Sequence, residues 1–180
     1  MTALGGTAAD RIGSGGFDYS GFDDEINGLP NKAVLMQAGE VLFHNAVRGH
    51  LSLSVALVRI DGFKQLVSEH GHEAGVRALN LAGSTLQARF RRSDMVGYLG
   101  GGQFCVLAVN MAGELLSDIF SECRSLVSQK RFPLAGQQLS CTISVAATAK
   151  MGDTFASTLS QVGQLLDTSG RIARNCTIIR

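Results

Sequence analysis

The sequence predicts an α/β fold of the α+β kind: a central mixed, mainly antiparallel β-sheet of about five strands, flanked by helices. Three observations predict it. Segments with helical spacing alternate with single β-prone stretches, a glycine triplet separates two such stretches, and residues 51–60 are rich in Leu, Val and Ile without alternation. The last pattern is that of a central strand covered on both faces. Helices alternating with strands imply layers packed on one sheet. The chain has 180 residues, 45% of them hydrophobic and two of them proline, which suffices for one well-buried core.

From residue 32 to 48, Val34, Leu35, Ala38, Val41, Leu42 and Ala46 recur at three- and four-residue intervals, so this stretch is expected to be a helix with that face buried. The central strand follows over residues 51–60. Residues 74–90 carry Ala78, Leu79, Leu81, Ala82, Leu86 and Phe90 at helical spacing, with Gly71 and Gly75 marking the start. Residues 95–99 and 104–109 are apolar and β-prone, and Gly100, Gly101 and Gly102 between them can supply the positive φ of a tight hairpin. A helix is expected over 115–127, a strand over 139–149, a helix over 155–166 and a short closing strand over 176–179. Residues 23–180 then form one domain. Residues 1–22 hold six glycines and few large aliphatic side chains; they read as a flexible arm whose Phe17, Tyr19 and Phe22 offer docking groups.

Charge and residue chemistry exclude several function classes. A net charge of +1 gives no concentrated positive field for nucleic acid or an acidic membrane. No apolar run approaches the roughly 18 residues a membrane helix needs, and the N-terminus lacks a basic region followed by an apolar one. A cytoplasmic location is expected. Cys105, Cys123, Cys141 and Cys176 fall in apolar segments without metal-ligand spacing and are expected to be buried free thiols. His44, His50, His70 and His72 are not spaced with Cys or acids as ligands, and no nucleophile elbow surrounds Ser52, Ser54 or Ser144. Neither a metal centre nor a catalytic triad is expected.

Five sequence blocks resemble one family in order. They are Gly28-Leu29-Pro30-Asn31-Lys32; Ile60-Asp61-Gly62-Phe63-Lys64 followed by Gly71-His72; Asp94 through Phe104, with Gly-Gly-Gly-Gln-Phe; Thr142-Ile143-Ser144-Val145-Ala146; and Arg174-Asn175. They resemble the Gly-Leu-Pro-Asn-Arg entry, the Asp-x-Asp-x-Phe-Lys strand and Gly-His turn, the Gly-Gly-Asp-Glu-Phe signature, the Thr-Val-Ser-Ile-Gly strand and the closing Gly-Arg-Asn of the GGDEF family of diguanylate cyclases. The resemblance covers residues 24–180 and implies a nucleotidyl-cyclase-like fold.

It also implies where the chain departs from that family. A diguanylate cyclase joins two GTP molecules and needs divalent metal held by carboxylate oxygens. The resemblance puts those ligands at the first Asp of the Asp-x-Asp strand and the third position of the signature, which here are Arg59 and Gly102. Gln103 replaces the signature Glu. The guanine-reading Asn and Asp fall on Val67 and Val76, which would leave the base edge unpaired at a cost of about 1–3 kcal/mol per group. The phosphate-binding Lys falls on Gly170, although Arg174 remains. Asp61 survives, and a hydrogen-bonded strand-end role is expected for it. No cyclase activity, no magnesium and no other cofactor are expected.

One family feature persists. Arg91-Arg92-Ser93-Asp94 keeps the Arg-x-x-Asp pattern, with residues 95–99 between Asp94 and the first signature glycine. In the family this pattern forms an inhibitory site (I-site) for the product cyclic di-GMP. An Arg fork can grip a guanine edge or phosphate while a carboxylate accepts from guanine N–H groups. Arg92 adds field, and Arg124 is a weaker candidate near where some relatives carry a second gripping Arg. The bland alternatives are a helix C-terminus that the arginines favour, a solvated loop acid at Asp94 and a solvated helix face at Arg124. Two functions remain open. One is a non-catalytic module that binds cyclic di-GMP through Arg91 and Asp94 and relays the signal to a signalling protein, with a homodimer as a further expected partner arrangement. The other is a nucleotide-independent protein-interaction domain.

Overall fold

The computed structural model describes residues 28–111 and 113–180, so the arm expected over residues 1–22 lies outside the described residues. Asn31 has an extended backbone and its side-chain oxygen accepts from Val34 N at 3.0 Å, satisfying one of the amides a helix start leaves unpaired. From that cap the first helix, α1, runs over Lys32–Val47. Along the chain follow β1 (Leu53–Ile60), α2 (Phe63–His70), α3 (His72–Arg89), β2 (Met95–Gly100), β3 (Gln103–Val109), α4 (Gly113–Gln129), β4 (Phe132–Leu134), β5 (Gln137–Leu139), β6 (Ile143–Thr148), α5 (Phe155–Ile172) and β7 (Thr177–Ile179).

Five strands form one sheet in the order β2-β3-β1-β6-β7, and only the β6–β7 pair is parallel. The central position falls to β1, whose Leu57 stands opposite Cys105 on β3 and Ala146 on β6. Its side chains alternate between two cores. Ala56, Val58 and Ile60 pack with Phe63, Val67, Leu79, Leu86 and Phe120 of α2, α3 and α4. Val55 and Leu57 pack with Leu35, Phe43, Phe155, Val162 and Leu166 of α1 and α5. Both faces of β1 are therefore covered, which is why its sequence does not alternate.

The structure corrects several expected elements. The buried residues of α1 are Leu35, Gly39 and Phe43, whereas Val34 and Val41 are 48% and 62% exposed. Of the expected stripe, Leu35 is buried and Leu42 and Ala46 pack against the core, while Val34 and Val41 lie about 100° to one side of the line through Leu35, Gly39 and Phe43. Phe155 lies directly against the backbone at Gly39, so the true face is centred on a residue with no hydrophobic side chain. Phe63 and Lys64 open α2 instead of ending a strand; Gly62, at φ 66°, makes the turn. The strand expected over 139–149 starts at Ile143, and Leu139 belongs to the two-stranded β4–β5 ribbon, closed by Ala135 and Gly136 at φ 48° and 79°. α5 continues past residue 166 to Ile172.

Cys105, Cys123 and Cys141 are buried free thiols, while Cys176 is only half-buried, which corrects the expectation for that residue. Burial pushes the Cys105 thiol up to about 12 and those of Cys123 and Cys141 to about 11.

Candidate functional site

The end of β1 meets the glycine hairpin and the last turns of α5. Gly100, Gly101 and Gly102 take φ values of 94°, 62° and 80°, as the hairpin reading expected. Ile60 N donates to Gly102 O at 2.9 Å, and Gly102 N donates to the Tyr98 hydroxyl at 3.3 Å. A Cβ at Gly102 would stand 2.6 Å from Phe63 Cγ. With its left-handed φ as well, this backbone accommodates no side chain at position 102 unless the hairpin or Phe63 moves. Gln103 opens β3 opposite Arg59.

Alternation along β1 sends Arg59 toward α5. Its Nη1 donates to Asp167 Oδ1 at 2.7 Å and its Nη2 to Leu166 O at 3.1 Å. A Cβ at Gly170 would stand 2.5 Å from Arg59 Nη2, so the guanidinium occupies the space a side chain at 170 would use. Positions 59 and 170 are thus one feature: the cation fits because the glycine is there. Asp61 accepts from Thr142 Oγ1 and Ser144 Oγ, both at 2.7 Å, and from Asn175 N at 2.8 Å. It ties the end of β1 to β6 and to the approach to β7. Val67 is buried and Val76 half-buried, both against the core beneath α2 and α3. Arg174 is exposed, with its Nη1 3.6 Å from where a Cβ on Gly62 would be.

The second candidate lies between α3 and the edge strand β2. Asp94 is 9% exposed; its Oδ2 accepts from Arg91 N at 2.9 Å and its Oδ1 from Val109 N at 3.0 Å. Asp94 N in turn donates to Arg91 O at 3.0 Å. Asp94 is thus not a solvated loop acid: it holds the α3–β2 connection to the end of β3. An ionised carboxylate offers about four acceptor positions, so two amides leave it with capacity. Arg91 and Arg92 are exposed and make no ion pair among the described residues. With Asp94, Gln87, Phe90 and Pro30 they line a hollow of about 260 Å³.

Arg124 is not part of that hollow. Its Nε donates to Asn175 Oδ1 at 3.1 Å and its Nη1 to Thr177 Oγ1 at 3.0 Å. Thr177 is on β7, at the edge of the sheet opposite β2, so within one chain Arg124 lies away from Arg91, and its side chain is hydrogen-bonded rather than solvated. The arginine that does reach from α3 to α4 is Arg89, paired with Glu122 at 2.9 Å. Nothing in the sequence signals these partners, because each lies in a different element. Among the described residues no three His, Cys, Asp or Glu side chains converge as a metal site. None of the described helices is long and apolar enough to cross a membrane.

The family model described as diguanylate cyclase, GGDEF domain, matches residues 22–176. The chain belongs to the GGDEF family. Among curated relatives, this GGDEF chain is 31% identical over 130 residues to diguanylate cyclase DgcP of Pseudomonas aeruginosa, covering 72% of the present chain and 19% of the relative. The chain therefore spans about a fifth of that protein's length. Among solved structures it is similar to the coiled coil and GGDEF domain of DgcB from Caulobacter crescentus in complex with c-di-GMP, with a TM-score of 0.81, 20% identity and coverage of 88% and 84% of the two chains. It is equally similar, at a TM-score of 0.81, to diguanylate cyclase SiaD in complex with its activator SiaC from Pseudomonas aeruginosa, with 24% identity and coverage of 90% and 62%. These likenesses establish the GGDEF fold, with its five-stranded sheet between helices.

Proposed function

We propose that this GGDEF domain does not make cyclic di-GMP but binds it in the hollow at Arg91, Arg92 and Asp94, and passes that state to a partner protein. The observation that carries the loss of catalysis is the Arg59 guanidinium, fixed by Asp167 and Leu166 in the space left by Gly170. In the family resemblance, position 59 is a carboxylate that holds metal. A cation at that position repels a divalent ion, and the Gly102 backbone has no room for the second ligand. These residues do not fit magnesium. Val67 and Val76, at the guanine-reading positions, serve the core and offer a base edge nothing to bond.

The binding half of the reading rests on two arginines that make no ion pair among the described residues, beside a hollow that also contains a carboxylate. Guanidinium forks suit phosphates and guanine edges, and the remaining acceptor capacity of Asp94 suits guanine N–H groups. The solved DgcB domain, with c-di-GMP in its complex, and SiaD, in complex with an activator protein, make both parts of the proposal reasonable for a relative. One observation favours the nucleotide-independent alternative: the Asp94 carboxylate already serves two backbone amides.

Calorimetric titration with cyclic di-GMP distinguishes the two. A saturable micromolar complex that Arg91→Ala weakens at least tenfold, a loss of about 1.4 kcal/mol, supports binding at this hollow. Asp94→Ala is a poor probe because it also releases two backbone amides; Asp94→Asn, which keeps an acceptor oxygen, is the suitable companion. No heat at high ligand, or binding unchanged in Arg91→Ala, overturns the proposed site.

A further inference from the structure

A second hollow, of about 410 Å³, opens at the β7 edge of the sheet beneath α5. Its volume lies in the range of small-molecule sites. It is lined by Thr148 and Lys150 from the end of β6, Arg180 just after β7, and Gln161, Gln164 and Thr168 from α5. Two cationic side chains face it, and no acidic side chain lines it. Neither Lys150 nor Arg180 makes an ion pair among the described residues, and the side-chain amides of Gln161 and Gln164 make no hydrogen bond among them.

The backbone under both cations is fixed. Lys150 N donates to Thr148 Oγ1 at 3.0 Å, Arg180 N donates to Ala147 O at 3.0 Å, and Ala149 N donates to Arg180 O at 3.3 Å. The two positive side chains therefore start from ordered, neighbouring points on the sheet side of one concave surface. Two cationic side chains close together at a concavity raise the local positive potential even though the whole chain carries only +1. The glutamine amides add N–H donors on the opposite wall. The hollow is also remote from the glycine hairpin: Thr148 pairs with Val55 near the start of β1, whereas Arg59 and the hairpin are at its other end.

We infer that this hollow binds a small multiply charged phosphate compound, with Lys150 and Arg180 taking the phosphate oxygens and Gln161 and Gln164 orienting them. Half-buried Leu165 on the lining supplies a small apolar contact, so a diphosphate carrying an organic group should bind at least as well as the bare anion. The site does not depend on Arg91 or Asp94.

The test is a ¹H–¹⁵N NMR titration of the 180-residue chain, first with inorganic pyrophosphate and then with ADP. Saturable shifts confined to the amides around Ala149–Lys150, Gln164–Thr168 and Arg180 support the inference. Lys150→Gln and Arg180→Gln should each weaken the affinity about five- to tenfold, the loss of one charge-assisted contact at a partly exposed site. Equal shifts from pyrophosphate and ADP assign recognition to the phosphates alone; larger ones from ADP add the Leu165 contact. Absence of saturable shifts at millimolar pyrophosphate overturns the inference. So do shifts centred on Gly62, Phe63 and Arg174, or shifts unchanged in both variants.

Discussion

Position 59 carries a guanidinium where the family resemblance calls for a carboxylate, and position 170 carries no side chain where it calls for a lysine. Each difference can be read in the sequence, but not that they fit one another, because the 2.5 Å approach exists only once β1 and α5 are packed. Gly170→Lys should therefore displace Arg59 from Asp167 and destabilise the fold by about 1–3 kcal/mol, the usual cost of overpacking. Arg59→Ala should relieve much of that cost. Urea unfolding of the two single variants and the double variant would measure a coupling between them, and additive losses would show that the two positions are independent. Asp94 shows the same limit. Its place in an Arg-x-x-Asp pattern was visible, but its bonds to Arg91 N and Val109 N depend on the tertiary approach of β3.

Among the elements, those with long apolar signals were legible and the short or glycine-centred ones were not. The strand β1 was clear because both its faces are covered, and the hairpin because three glycines adopt the positive φ expected of them. In α1 the pattern misled: Gly39 sits at the centre of the buried face, and a periodicity count passes over it. The helix α2 buries only Phe63 and Val67, a single i,i+4 pair, and β4 and β5 have three residues each. None of these is long enough for a period to emerge. The start of α5 has a reciprocal cap: Ser157 N donates to Thr154 Oγ1 at 3.0 Å and Thr154 N to Ser157 Oγ at 3.1 Å. Thr154→Ala should cost about 1 kcal/mol and speed amide exchange in the first turn of α5 more than in β1. Uniform exchange changes would contradict a local role.

For the molecule as a whole, two apolar cores on either side of one sheet set the stability, and three thiols are sealed within them. Burial raises Cys105 to about 12 and Cys123 and Cys141 to about 11, against an ordinary value of 9.0. The folded state thus holds these protons more tightly than the unfolded chain does. Their contribution is fully present below pH 9 and is lost as pH rises toward 11–12. The urea midpoint should fall between pH 8 and pH 10.5, and fall less steeply in Cys105→Ala; a flat profile would contradict this. The same packing supports the proposed division of function, with Arg59, Gly102, Val67 and Val76 given to structure at one end of the sheet, and Arg91 and Arg92 at the edge making no ion pair among the described residues. The most direct test is a paired calorimetric titration of one protein sample, with cyclic di-GMP and with GTP plus magnesium, followed by chromatography of the GTP mixture for product. Saturable binding of cyclic di-GMP is expected, with no saturable heat from GTP and no cyclic di-GMP formed. Tight GTP binding, or any cyclic di-GMP that increases with time, would contradict it.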